Sequence, residues 1–135
     1  MRYMIDTNIC LHLMQHNPPE VLKRLAKLQL GDVVMSVVTF AELRFGVSRL
    51  SGETGEFAQA EEALASLIED VPVLPFDERA GVSYGVLRAA VRDRQRNALD
   101  RLIAAHALAE ELTLVTNNEA DFKAYPGLNL ENWVN

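Results

Sequence analysis

The sequence predicts a parallel α/β fold, and two patterns in it carry that prediction. Short apolar runs alternate with longer segments of helical period, as in strands joined by crossover helices. Four acidic residues, Asp6, Glu42, Asp100 and Asp121, each fall just past a strand or in the first turn of a helix. A crossover helix runs back down beside its strand, so strand ends and helix starts share one rim of the sheet. That carboxyl-end rim is where ligands bind in open α/β sheets.

The elements follow in order. The apolar run Tyr3-Met4-Ile5 is the first strand and ends at Asp6. From Thr7 the period turns helical, with Ile9, Leu13 and Met14 facing inward, until Asn17-Pro18-Pro19 breaks it. A second helix carries Val21, Leu22, Leu25 and Leu28 and is closed by Gly31. The β-branched run at 33–37 is the second strand. A third helix is expected from Thr39 to about Arg49, and the Thr39/Glu42 spacing matches a capping box. After the loop at 51–55 comes a fourth helix at 56–68. The short strand at 71–74 contains Pro72, which cannot donate to a ladder, so it belongs at a sheet edge. A long helix at 77–95 precedes another at 100–112, opened by Asp100. Leu114-Val115-Thr116 is the fourth strand, with Asp121 just beyond it. The Pro126-Gly127 turn leads to a last strand at 128–130 and to Trp133, which reads as an anchor for the C-terminal segment.

Composition permits this fold. The 135 residues form about one domain, 1–135, without an internal repeat or low-complexity linker, and 49% of them are apolar. A chain of this size buries roughly two-thirds of its unfolded surface. The lone Cys10 excludes an internal disulfide and reads as packing. No basic, apolar leader opens the chain, and no run approaches the roughly 20 apolar residues of a membrane span. A cytoplasmic location without membrane association is the expectation.

The net charge of -6 opposes general affinity for nucleic acid. Its distribution is uneven, because Arg88, Arg92, Arg94, Arg96 and Arg101 face only Asp93 and Asp100 in their stretch. This is either a solvated helix end or a phosphate-gripping flank beside a metal site, for which Arg101 and Arg96 are the candidate contacts.

Each acid has an ordinary reading as a helix cap or dipole partner. Together on one rim they would repel one another unless a cation or proton intervened. An all-oxygen set without paired Cys or His spacing points to Mg²⁺ or Mn²⁺ rather than zinc. Such a site suits phosphodiester hydrolysis, hence a nuclease. His12 and His16 have zinc-like spacing but no third ligand and read as surface residues. His106, on a largely apolar helix, reads as structural.

Four segments, Met4-Ile5-Asp6-Thr7-Asn8, Ser36-Val37-Val38-Thr39-Phe40-Ala41-Glu42-Leu43, Asp100-Arg101-Leu102-Ile103-Ala104-Ala105-His106-Ala107 and Leu114-Val115-Thr116-Asn117-Asn118, resemble the PIN-domain family. Within it they resemble VapC-type toxins of bacterial toxin–antitoxin pairs, over almost the whole chain. The resemblance implies a three-layer α/β/α fold around a mainly parallel sheet of about five strands. It also implies a Mg²⁺-dependent endoribonuclease toxin, with Mn²⁺ as a possible substitute, that arrests growth when its VapB-type antitoxin is absent.

Asp6, Glu42 and Asp100 match the family's metal-holding acids. Asp121 occupies the acid position of a Thr-Asn-Asn subgroup, and Asn118 stands where many members carry an acid. Thr7, Asn8, Thr116 and Asn118 are placed to hydrogen-bond the acids or their water. Asn97-Ala98-Leu99 departs from a frequent Gly-Pro turn, which bears on substrate selection more than on catalysis. The implied partners are an antitoxin covering the acidic site, a second copy in a homodimer, and a structured RNA, with tRNA and initiator tRNA foremost. Operator DNA is reached only through the antitoxin.

A receiver domain would need an acidic pair near the first strand and a late lysine, and neither is present. A non-catalytic PIN-like module that only binds RNA or protein is the stronger rival.

Overall fold

The computed structural model describes residues 1–91 and 98–134. Five strands, β1 (Tyr3–Ile5), β2 (Val33–Ser36), β3 (Val73–Leu74), β4 (Thr113–Val115) and β5 (Leu130–Glu131), form one sheet in the order β3-β2-β1-β4-β5. Every neighbouring pair is parallel, as the alternating pattern predicted. The helices between them are α1 (Thr7–Gln15), α2 (Pro19–Ala26), α3 (Val37–Ser48), α4 (Glu56–Asp70), α5 (Glu78–Ala90) and α6 (Ala98–Ala109).

Alternation along the strands divides the core into two layers. Tyr3, Ile5, Val33, Met35 and Val115 pack against α1, α2, α3 and α4. Met4, Val34 and Leu114 face the other way, onto Leu87 of α5 and Ile103, Ala104 and Ala107 of α6. The result is the three-layer α/β/α arrangement. Among the described residues, no helix is long and apolar enough to cross a membrane.

β3 pairs only with β2, which bears out the edge position read from Pro72. The Pro72 carbonyl still accepts from the Met35 N–H at 2.9 Å. At the opposite edge Trp133 is buried, edge-to-face on Tyr3 with ring centroids 5.3 Å apart. Its Nε1–H donates to Glu131 at 2.9 Å, and Arg24 of α2 lies over the ring while pairing with the same carboxylate. The C-terminal segment is thereby fastened to the first strand and to α2.

Several boundaries differ from the sequence reading. α3 begins at Val37, two residues early, because the Ser36 hydroxyl accepts from the Val38 N–H at 3.1 Å and caps the helix there. Val37, read as the last residue of the strand, is helical, and Thr39 lies buried inside the helix rather than capping it. Tertiary packing overrides β-propensity at this junction. α6 likewise starts at Ala98 and ends at Ala109, after which Glu111 adopts φ 56° and the Leu112 N–H returns to Ala107 at 2.9 Å. The last strand is Leu130–Glu131 instead of 128–130. The fifth helix, expected to reach 95, stops at Ala90, where Val91 turns extended at the C-cap; residues 92–95 lie outside the described residues.

Candidate active site at the carboxyl edge of the sheet

The strand order reverses beside β1. The chain lays down β1, β2 and β3 in one direction and then crosses to place β4 and β5 on the other side. The crevice between the carboxyl ends of β1 and β4 is therefore the topological switch point, where the two crossovers diverge and leave a gap. Asp6 follows β1 and Thr116 follows β4, so both stand at this gap. The Asp6 N–H still bonds the Val115 carbonyl at 3.0 Å, which fixes the backbone while the side chain turns toward α1.

Asp6 is the N-cap of α1, its Oδ1 accepting from the Ile9 N–H at 3.0 Å. At 5% exposure it is nonetheless buried, and loss of solvent raises its pKa above the usual carboxylate value. Hydrogen bonds from Thr116 and Ile9 pull the other way, while the Glu42 carboxylate adds to the rise. Glu42 stands close enough to be felt, and the Thr7 hydroxyl donates to its Oε1 at 2.6 Å. The capping and site readings of Asp6 are thus compatible: one oxygen holds the helix, and Glu42 still acts on the carboxylate. The Cys10 thiol, buried one turn on, is pushed well above its ordinary pKa by burial and by Asp6, so it stays protonated.

The remaining candidates are less closely gathered. Asp100 is half-buried in the first turn of α6, a helix that packs on β2, α3 and β4. Asp121 is exposed at the end of a one-turn 3₁₀ helix (Glu119–Asp121) and accepts from the Asn118 amide. The Asn118 N–H in turn donates to Thr116 Oγ1 at 3.0 Å. Asn8 is exposed on α1. Among the described residues, no three carboxylate, imidazole or thiol groups converge closely enough to hold one ion.

Arg101 requires a correction. It is 3% exposed, so its guanidinium lies inside the helix packing and does not reach the surface as an RNA contact. An arginine directly after a rim acid reads as exposed in sequence, but the turn of α6 carries it inward. Arg96 lies outside the described residues.

Sequence reasoning missed three features. His106 is structural as read, but its partner was missed: Ser36 and His106, both fully buried, bond at 2.7 Å between Oγ and Nδ1 and join the start of α3 to α6; burial lowers the His106 pKa. His12, read as a surface residue, meets Asn117 at 3.1 Å. Beside Thr7 and Glu42 opens a groove of about 1280 Å³ between α1, α3 and α4, with Leu11, Val38, Ala41, Phe45 and Leu102 among its lining. Its signal was present in the sequence: α3 is apolar on nearly every side, which marks a helix with more than one apolar neighbour.

The PIN domain family model matches residues 3–128. The chain belongs to the PIN domain family. As a PIN domain it is 35% identical over 138 residues to Ribonuclease VapC2 of Rickettsia felis, covering 98% of each protein. It is 32% identical over 135 residues to the tRNA(fMet)-specific endonuclease VapC of Shigella flexneri, again covering 98% of each. The crystal structure of VapBC2 from Rickettsia felis, bound to a DNA fragment from its promoter, superposes with a TM-score of 0.86 at 34% identity over 98% of this chain and 99% of that one. The PIN fold and the VapC likeness therefore extend over nearly the full length.

Proposed function

We propose that this chain is the endoribonuclease toxin of a VapBC-type toxin–antitoxin pair, hydrolysing RNA phosphodiester bonds with Mg²⁺, for which Mn²⁺ can substitute. The observation that carries the reading is the buried Asp6 carboxylate, set against Glu42 at the switch point of the sheet. A buried carboxylate whose nearest acid raises its pKa further is a charge that calls for a cation. The donor set is all oxygen, which suits a hard ion. Mg²⁺ takes one or two protein carboxylates and keeps several waters, so a shallow pair is enough and a closed cage is not needed. Asp6 and Glu42 would hold it, with Asp100 on α6 and the exposed Asp121 as further donors. Bound there, the ion would acidify water and offset the charge that builds on the phosphate.

The protein's own groups do the rest. The Ile9 N–H and Thr116 keep Asp6 in one orientation, and the Thr7 hydroxyl does the same for Glu42 through one oxygen, leaving the second to orient water. Attack by water rather than by the ribose 2′-hydroxyl leaves 5′-phosphate and 3′-hydroxyl ends. tRNA is the proposed substrate, with initiator tRNA first, a choice supported by the name of the Shigella flexneri relative. Growth arrest, a homodimer and a cytoplasmic location belong to the same proposal.

The test is incubation of total bacterial RNA with the purified protein, with Mg²⁺ or with EDTA. A discrete cut that requires the ion is expected, and end mapping then names the RNA. A folded protein that binds Mg²⁺ and cuts nothing would turn the reading toward the non-catalytic PIN-like module.

The apolar groove beside Glu42 suits an amphipathic segment of the antitoxin, because it offers an apolar floor with carboxylates, Glu42 and Glu56, along its lining. A basic residue on that segment would reach the acids, and the chain's own charge of -6 favours such a partner. The same charge disfavours direct contact with operator DNA, leaving that contact to the antitoxin. Phe45 is 70% exposed within the groove. Phe45→Glu is expected to weaken the antitoxin complex about 30-fold or more, the scale of a buried aromatic anchor. Its thermal unfolding should be unchanged, since the side chain packs on little in the free protein. Calorimetric titration with the antitoxin checks this, and an unchanged affinity places the antitoxin elsewhere.

A further inference from the structure

We propose that His12 is a positioning residue, fastening the loop after β4 to α1 so that Thr116 and Asn118 keep the hydrogen bonds that set Asp6 and Asp121. His12 Nε2 and Asn117 Nδ2 are 3.1 Å apart, across 105 residues of sequence. An amide nitrogen can only donate, so Nε2 accepts and the ring proton sits on Nδ1.

The loop needs a fastening. Residues 117–121 are all exposed, whereas Thr116 before them and Phe122 after them are buried. Their local bonds run within the loop, from the Asn118 N–H to Thr116, from the Asn118 amide to Asp121, and from the Asp121 N–H to the Asn118 carbonyl at 3.1 Å. Such bonds shape a turn without fixing its place over the crevice. The His12 contact supplies the place, because α1 is the helix that Asp6 caps. Thr116 connects the two ends of the argument chemically, accepting from Asn118 and hydrogen-bonding Asp6. Letting the loop swing would therefore loosen the orientation of Asp6 as well as Asp121.

For its effect on cleavage this inference rests on the nuclease reading, while the fastening itself does not. The test compares His12→Phe, which keeps a ring of similar size without an acceptor, with His12→Gln, whose amide oxygen reaches the Nε2 position. Asn117→Ala and the His12→Phe/Asn117→Ala double variant complete a cycle. Two readouts are taken on each: amide hydrogen exchange across 117–121, and kcat and KM on the RNA that the wild type cuts.

Losing one such hydrogen bond corresponds to a rate effect of about 5–10-fold. His12→Phe is expected to speed exchange across 117–121 and lower kcat by that factor with KM within about twofold, and His12→Gln to restore both. The double variant should be no worse than either single change. The proposal is overturned if His12→Phe leaves exchange and kcat unchanged, if His12→Gln is as impaired as His12→Phe, or if the two single effects multiply. A wild type that cuts no RNA counts against the nuclease reading instead, and unchanged exchange in His12→Phe then overturns the fastening by itself.

Discussion

Asp6→Asn is expected to abolish RNA cleavage and at the same time to raise the thermal stability of the metal-free protein at neutral pH. The loss of activity follows from where the carboxylate stands. Asp6 is the buried acid at the switch point, and under the proposed mechanism it holds the ion. Changing a group behind a metal ligand already costs about 10–100-fold, so replacing the ligand itself should exceed about 100-fold.

The gain in stability follows from burial. Desolvation raises the Asp6 pKa in the folded state above its unfolded value, so the folded chain binds this proton more tightly than the unfolded chain does. The corresponding stability is complete below the unfolded pKa. It is lost as pH climbs through the unfolded value and on to the folded one, and above the folded pKa the whole penalty is present. An uncharged amide escapes that penalty, keeps the acceptor for the Ile9 N–H and offers Thr116 a donor. Thermal unfolding in EDTA across the acid range to pH 7 checks this. The Tm of Asp6→Asn should match the wild type at the lowest pH and exceed it increasingly as pH rises. A lower Tm at pH 7 would mean that Asp6 is already compensated in the folded protein, and the case for a cation there would weaken.

Trp133→Ala is the largest expected loss of stability. The indole is buried at 2% exposure, rests edge-on against Tyr3 of the central strand and donates to Glu131. Truncating a buried aromatic costs about 3–5 kcal/mol through lost burial and the cavity left behind. A domain has about 5–15 kcal/mol in total, so this is a large share. At this chain length it corresponds to a fall in Tm of roughly 10–20 °C. The change also removes the ring over which Arg24 lies, leaving the Arg24–Glu131 pair without its apolar platform. Trp133→Phe keeps most of the ring and gives up the bond to Glu131, for a loss of about 1 kcal/mol. Urea unfolding of the three proteins separates packing from hydrogen bonding. An alanine variant within 1 kcal/mol of the wild type would show that the C-terminal segment is not fastened as the structure has it.

Much of this was legible without coordinates. The strand-and-helix alternation and the edge position of the Pro72 strand follow from local chemistry, namely apolar period, a missing donor and turn residues. The placement of Asp6 and Glu42 at one rim follows from the handedness and direction of parallel crossovers, a rule that needs only the order of elements. Local reading failed where a non-local partner decided. Val37-Val38-Thr39 carries strand propensity, yet Ser36 caps a helix there because His106, seventy residues away, fixes its hydroxyl. Arg101 looked like a surface cation because nothing in its neighbours records which way the α6 turn faces.

The sequence by itself determined the parallel α/β class, the order of its elements and the edge on which its acids stand, because each depends on the chain's local period and on a rule of connection. Only the tertiary structure decided that Asp6 is buried beside Glu42, that Arg101 points inward, that His12 meets Asn117, and that an apolar groove opens next to the acids. These depend on which side chains from distant segments share a space, and packing sets that choice after the local pattern has been satisfied.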